Sequence, residues 1–213
     1  QGSRDYIAMP AHSTTHVDAL CHTWMEGKLY NEFSVITVRS HGAKYCGIDK
    51  MGWFFGKGIL LDIPKYKGVE YLSGGYVIST ADIEACADAE GVNIESSDAL
   101  LIRTGWLTAL IQKHIQLADP SPGIGMDTVP WIKAKEICAV ASDNAVVEVM
   151  PPEEKDQWIP VHRELIRNLG VYIMEWFYLE ELARDQIYQF LFIVAPLKIP
   201  GGTASPISPL AVV

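Results

Sequence analysis

The stretch Ala11-His-Ser-Thr-Thr-His-Val-Asp-Ala-Leu-Cys-His22 holds three of the chain's 6 histidines together with an aspartate. Neutral imidazole nitrogens and carboxylate oxygens are ligands that divalent transition metals prefer in proteins. The stretch therefore predicts a metal site, with His12, His16 and Asp18 as candidate ligands. A polar loop that is rich in histidine is the alternative interpretation of the same residues.

The composition indicates a single globular domain and gives no sign of a nucleic-acid or membrane partner. The chain has 213 residues, of which 49% are hydrophobic, and a formal net charge of −9 at pH 7. Because this length suits one buried core, we predict a single domain over residues 1–213. The acidic balance disfavours binding to nucleic acid, and no apolar stretch of the sequence is long enough to cross a membrane. The first residue is Gln1 rather than Met, so we expect a segment upstream of it.

The 4 cysteines are widely spaced and form no C-x-x-C pair. This spacing, without a secretory signal, predicts reduced thiols and a cytoplasmic location. Cys21 adjoins the histidine cluster, but no general base or oxyanion hole is evident for it in the sequence. Metal chemistry is therefore favoured over a cysteine nucleophile.

Apolar runs that suit strands alternate along the chain with runs that suit helices. The predicted strands are residues 34–38, 58–63, Ala99–Arg103, 137–141, 171–175 and 189–195. The predicted helices are Thr80–Glu90, 106–114, 128–135, 161–169 and 179–184, with Thr80 as the N-cap of the first. Residues 200–209 are predicted to form a shaped loop. This alternation predicts an α/β or α+β domain.

A metal site built from residues 11–22 alone would be incomplete, and His162 and Glu175 are the best candidates to complete it. Glu175 stands in the apolar run Val171-Tyr-Ile-Met-Glu-Trp-Phe-Tyr178. Burying a carboxylate there costs several kcal/mol unless a cation or strong donors meet it. A metal ion would supply that compensation. Backbone amides or exposure to solvent would also explain Glu175.

Three further polar residues follow predicted strands and have weaker claims on a site. Arg103 and Thr104 end the strand Ala99–Arg103, and we predict a structural role for them. Asp143 follows the strand 137–141, where α/β proteins often place functional groups. It could equally cap the next turn.

Motifs along the whole chain resemble those of the metal-dependent cyclase family, which includes bacterial kynurenine formamidase and isatin hydrolase. The motifs are H-x-x-T-H-x-D-x-x-x-H, the strand end Leu101-Ile-Arg-Thr-Gly105, the segment from Pro160-Val-His162 to Glu175, and the tail Ala195-Pro-Leu-Lys-Ile-Pro-Gly-Gly-Thr203. The resemblance implies a swivelling β/β/α fold, which is an α/β domain with a mixed sheet, assembled as a homodimer or homotetramer. Thr14 and Leu20 stand where the family usually has Gly and Pro, which indicates a longer branch of the family.

The resemblance also implies a role for each residue of the site. The family's metal ligands fall on His12, His16 and Asp18. His162 and Glu175 complete the site in members that hold two zinc ions. Both mononuclear Mn²⁺ and dinuclear Zn²⁺ sites occur in the family, so one or two ions of Zn²⁺ or Mn²⁺ are expected.

The family's catalytic histidine falls on His22. A metal-bound hydroxide would attack the carbonyl of an amide, either a cyclic amide or an aryl formamide, and His22 would transfer the proton. Trp24, two residues further on, is predicted to contact the substrate. A lactone hydrolase or a ring-closing cyclase on the same metal site, and a non-catalytic binding protein stabilised by metal, are the alternatives.

Overall fold

A mixed sheet of eight strands forms the centre of the fold in the computed structural model, which describes residues 2–154 and 156–213. The strands are β1 His16–Asp18, β2 Val38–Arg39, β3 Gly42–Ala43, β4 Phe54–Asp62, β5 Val77–Ile78, β6 Ala99–Arg103, β7 Gly123–Ile124, β8 Ala139–Ser142, β9 Tyr172–Glu175, β10 Gln189–Val194, β11 Ala204–Pro206 and β12 Leu210–Val212. The helices are α1 Ile63–Lys67, α2 Thr80–Glu90, α3 Trp106–Ile111, α4 Thr128–Ala134, α5 Pro160–His162 and α6 Glu180–Arg184. A π-helical segment, Arg163–Leu169, continues α5.

The strand order in the main sheet is β11-β1-β9-β8-β6-β4-β10-β12. The four central strands, β4, β6, β8 and β9, are parallel to one another. The outer strands on both sides are antiparallel to their neighbours. The prediction of an α/β domain with a mixed sheet is therefore confirmed.

The central strands are mainly apolar because both faces of the sheet are covered. In β6 every residue is buried. Leu100 and Ile102 pack into one core, against the helices. Leu101 packs into the other core with Val17 of β1. Two cores on opposite faces explain why the alternation of polar and apolar residues that marks a half-exposed strand is absent here.

The predicted segment 34–38 is wrong as a strand. The carbonyl of Ser34 accepts hydrogen bonds from the backbone N–H of Thr37 at 3.1 Å and from its hydroxyl at 2.7 Å. These local bonds close a 3₁₀ turn over Val35–Thr37, and only Val38–Arg39 remains extended. The β-branched residues of this segment favour a strand, but the hydrogen bond from the Thr37 hydroxyl to the Ser34 carbonyl stabilises a turn instead.

Two other expectations about local structure need correction. Ser79, not Thr80, caps α2, because its hydroxyl accepts the backbone N–H of Asp82 while Asp82 accepts that of Ser79. This is a capping box, one residue earlier than predicted. The loop predicted for residues 200–209 contains the strand Ala204–Pro206, which pairs with β1.

The remaining predicted strands and helices are present with ends shifted by a few residues. Within residues 2–154 and 156–213, no helix is long and apolar enough to cross a membrane.

Candidate metal centre

The pairing of β1 with β9 places three of the predicted ligands together. Successive side chains of a strand point to opposite faces, so His16 and Asp18 share one face while Val17 lies in the core. His16 lies opposite Glu175 in the antiparallel register of β1 and β9. His16 and Asp18 are two positions apart, and in a strand residues two positions apart point to the same face.

The ring of His16 is completely buried at the centre of the cluster. Its Nε2 lies 3.2 Å from Nδ1 of His12, 3.4 Å from Oδ1 of Asp18 and 3.3 Å from Oε2 of Glu175. Ligands about 2.1 Å from a tetrahedral metal ion stand about 3.4 Å from one another. The donor atoms around His16 therefore have the separations that a metal shell requires.

Asp18 belongs to two groups of mutually close donor atoms: His12 with Asp18 and His22, and Asp18 with His162 and Glu175. Its Oδ1 lies 2.9 Å from Nδ1 of His12, and its Oδ2 lies 3.9 Å from Nε2 of both His22 and His162. The structure thus brings together every predicted ligand and the predicted catalytic histidine. A carboxylate shared by two groups can serve one ion or bridge two.

The two carboxylate oxygens of Asp18 are buried and accept no hydrogen bond of acceptable geometry from the described residues. Nδ1 of His12 lies 2.9 Å from Oδ1, but without the alignment of a hydrogen bond. A buried carboxylate without partners costs several kcal/mol. A cation between the oxygens and the imidazoles would remove that cost, so the residues present fit a divalent metal.

The outer nitrogens of three histidine rings have protein partners, which orients their inner nitrogens toward Asp18 and Glu175. Nδ1 of His16 donates to the carbonyl of Thr14 at 2.7 Å. Nε2 of His12 lies 3.4 Å from the hydroxyl of Thr203. Metal-binding histidines usually have such an outer partner, because it selects the tautomer and holds the ring.

Glu148 is the outer partner of His162, and the sequence-based reasoning missed it. Its Oε1 accepts Nδ1–H of His162 at 2.6 Å and the backbone N–H of His162 at 2.9 Å. Its Oε2 accepts the backbone N–H of Val161 at 3.1 Å. Nε2 of His162 is thereby directed to Oε1 of Glu175, 2.9 Å away. The one indication in the sequence is an acid within the run Ala145-Val-Val-Glu-Val-Met150, which resembles the setting of Glu175.

The carboxylates of the cluster raise the pKa of two of its histidines. Burial lowers the pKa of His16, but Asp18 and Glu175 outweigh burial and raise it to about 10. Burial likewise lowers the pKa of His162, and Glu148 and Glu175 raise it to about 10. Without a cation, these rings hold protons at neutral pH, and a metal ion would have to displace them.

His22 differs from the other histidines of the cluster. Among the described residues, neither of its ring nitrogens has a hydrogen-bond partner, and Asp18 is its nearest carboxylate. Burial lowers the pKa of His22, which favours the neutral ring. A neutral imidazole without an outer partner can accept a proton. Its closeness to His12, with ring centroids 4.4 Å apart, also places it within reach of a metal.

A cavity of about 360 Å³ opens beside His22. It is lined by His22, Thr23, Trp24, Trp158, Ile159 and Arg163. Trp24, the predicted substrate contact, is thus placed next to the predicted catalytic residue, and its role stays a prediction. Trp158 and Arg163 were missed because they lie far from His22 in sequence.

The other polar candidates have structural partners. Arg103 donates to Asp62 at 2.8 Å and to Glu180 at 2.8 and 3.1 Å. Asp143 is buried and accepts the N–H and hydroxyl of Thr104 and the N–H of Gly105, so it caps the turn after β6. Burial raises the pKa of the Cys21 thiol to about 12, which disfavours the thiolate needed of a nucleophile.

Comparisons with known proteins identify the family and the fold of the chain. The sequence matches the family model Cyclase, described as "Putative cyclase", over residues 3–149. The crystal structure of "a novel cyclase" matches with a TM-score of 0.89 and 38% sequence identity, covering 100% of this chain and 72% of that one. A comparison with curated proteins found no match.

Two isatin hydrolases show a likeness of fold alone. The one bound to the product analogue thioisatinate has a TM-score of 0.68 at 23% identity, with 97% of this chain and 73% of that one covered. Isatin hydrolase A from Labrenzia aggregata, bound to benzyl benzoate, has a TM-score of 0.69 at 24% identity, with 97% and 75% covered.

Proposed function

The chain belongs to the cyclase family, and on that basis we propose that it is a metal-dependent hydrolase that cleaves the C–N bond of an amide, either a cyclic amide or an aryl formamide. The observation that carries the proposal is the buried Asp18, whose oxygens lack hydrogen bonds although imidazole nitrogens surround them. Such an arrangement is costly in a protein that binds no cation, and it is what a metal centre requires.

His12, His16 and Asp18 would hold one ion of Zn²⁺ or Mn²⁺, and His162 and Glu175 would hold a second through the shared Asp18. A bound ion of this kind acts as a Lewis acid, which lowers the pKa of water and stabilises negative charge on a carbonyl oxygen. The protein's part is to present His16 and Asp18 from a short strand whose register with β9, and so with Glu175, is defined by hydrogen bonds.

His22 would act as general base and then as general acid. Its ring takes one proton from the attacking water as the new C–O bond forms, and returns it to the nitrogen as the C–N bond breaks. One water is consumed, and a carboxylic acid and an amine are produced. The lowered pKa of His22 suits the first half of this cycle, because a base must be neutral before it accepts the proton.

The amide preference is supported by the fold that the chain shares with isatin hydrolases. Isatin is a cyclic amide. The cavity beside His22, with Trp24 and Trp158 in its lining, suits a planar substrate of that size.

The direct test combines elemental analysis with hydrolysis of matched substrates. We expect the purified protein to contain one or two ions of zinc or manganese per chain and to hydrolyse a lactam or a formanilide. His16→Ala should abolish both properties, while His41→Ala, on an exposed turn, should retain them. A metal-free protein, or activity unchanged by His16→Ala, would refute the proposal.

Two other results would redirect it. Hydrolysis of lactones without hydrolysis of the matched amides would move the proposed bond from C–N to C–O. Bound metal with no turnover of any substrate class would indicate a site that only stabilises structure.

A further inference from the structure

We propose that the cavity beside His22 is an anion-binding subsite, in which Arg163 pairs with a carboxylate on a planar substrate that stacks on Trp24 or Trp158. This inference rests on the proposed function and narrows its substrate class to aryl amides that carry a carboxylate. The volume of about 360 Å³ lies near the lower end of known small-molecule sites, which suits a compound of one or two rings.

The lining of the cavity carries a positive charge. Arg163 is the one charged residue in its lining, and none of the lining residues is acidic. The chain as a whole carries a formal net charge of −9. A cavity lined by an arginine and by no acidic residue would attract an anion even on a chain of negative net charge.

The guanidinium of Arg163 differs from the other partly buried guanidinium groups of the described chain in its lack of a partner. Three arginines of the described chain are at least half-buried, and two of them are paired: Arg103 with Asp62 and Glu180, and Arg167 with Glu32. Arg163 makes no ion pair or side-chain hydrogen bond with any described residue. A guanidinium offers a planar fork of N–H donors that matches a carboxylate, and an unmatched fork at a cavity is ready to receive one.

Two exposed tryptophans line the cavity together with Arg163. Trp24 is 52% exposed and Trp158 is 70% exposed, although indole rings are normally well buried. Aromatic rings left in contact with solvent at a cavity offer a surface on which another ring can stack. His22, which belongs to one of the donor groups around Asp18, also lines this cavity, so a ring bound here would lie beside the candidate metal centre.

Binding of benzoate and benzamide separates this proposal from binding at the metal. The two compounds share a ring, and only benzoate is an anion. Measured by titration calorimetry on metal-free protein, benzoate should bind at least about tenfold more tightly than benzamide. Arg163→Met should lower the benzoate affinity about ten- to a hundredfold, the effect of losing a charge-assisted hydrogen bond, and leave benzamide within about twofold.

Matched variants complete the experiment. Arg184→Met, on the exposed end of α6, should bind both compounds as the wild type does. Arg163→Lys should retain part of the preference, because the charge remains while the fork is lost. Equal affinity for the two compounds in the wild type, no binding of either, or an unchanged preference in Arg163→Met would overturn the proposal.

The outcome is independent of the proposed hydrolase activity. Arg163→Met should bind Zn²⁺ as the wild type does, because Arg163 is not a metal ligand. If the protein prefers benzoate but binds no metal, the anion subsite is supported and the hydrolase proposal fails. If the protein binds metal and hydrolyses amides but does not prefer benzoate, the hydrolase proposal is supported and the anion subsite fails.

Discussion

Glu148→Gln tests whether the carboxylate behind His162 helps to hold the metal. Glu148 accepts three hydrogen bonds: two from His162, at 2.6 and 2.9 Å, and one from Val161 at 3.1 Å. Glutamine has the same shape but replaces one acceptor oxygen with an NH₂ group. Whichever way the amide is turned, at least one of the three donors must face another donor.

The orientation of the amide decides which function is damaged. If the amide oxygen faces His162, the N–H of Val161 is left without an acceptor. If the NH₂ group faces His162, the ring must move its proton to Nε2, and Nε2 can then no longer bind a metal. In the first case the ring keeps its tautomer but has a weaker, neutral acceptor.

The expected magnitudes follow from these losses. A buried donor without a partner costs about 1–3 kcal/mol of folding free energy, and each kcal/mol lowers Tm by about 2–4 °C in a chain of this size. Loss of an outer partner lowers metal affinity about 10- to 100-fold. Zn²⁺ affinity would be measured by competition with a chromophoric chelator, and Tm by calorimetry on the metal-free protein.

Asp143→Asn is the matched control. Asp143 is also a buried carboxylate, which accepts three hydrogen bonds from Thr104 and Gly105 and a longer one, at 3.4 Å, from the hydroxyl of Ser142, but it lies outside the metal cluster. It should lose comparable stability and keep its Zn²⁺ affinity. If Glu148→Gln and Asp143→Asn lose stability alike and both bind Zn²⁺ as the wild type does, Glu148 is structural and the reasoning is refuted.

Three further predictions concern the cluster and the assembly. His22→Ala should keep its bound metal and lose about 10²- to 10⁴-fold in kcat, as for a general base; loss of metal, read by elemental analysis, would make His22 a ligand instead. Because carboxylates raise the pKa of His16 and His162 to about 10, Zn²⁺ must displace protons from both rings, so its affinity should rise from pH 6 to pH 8. Calorimetry in buffers of different ionisation enthalpy should show proton release, and a pH-independent affinity would contradict it. Light scattering should show a homodimer or homotetramer, and a monomer would contradict that expectation.

The candidate ligands could be predicted from the sequence because they lie in recognisable local patterns. His16 and Asp18 are two positions apart, and a strand is the structure that turns such a pair to one face. Glu175 could be recognised as a carboxylate in an apolar run. The sheet pairs β9 with β1 and so places His16 opposite Glu175, and the role of both residues as metal ligands stays a prediction.

The residues that support the ligands could not be predicted in the same way. Thr203 and Arg163 lie in no pattern that assigns them a role, and Glu148 is marked only by the apolar run around it. Each of the three acts on a group that is distant in sequence or on a cavity that exists only after folding. Only the tertiary structure shows that Glu148 meets the ring of His162 or that Arg163 lacks a partner.

The candidate metal centre depends on contacts between segments far apart in the described chain. β1 has three residues and is held by β9 on one side and by Ala204–Pro206 on the other. Thr203, whose hydroxyl lies near the ring of His12, is 191 positions away from it. Contacts of such long range are entropically costly to close and form late in folding. A metal ion that binds only the closed arrangement would therefore stabilise the folded chain by mass action, and Zn²⁺ should raise the Tm of the wild type more than that of His16→Ala.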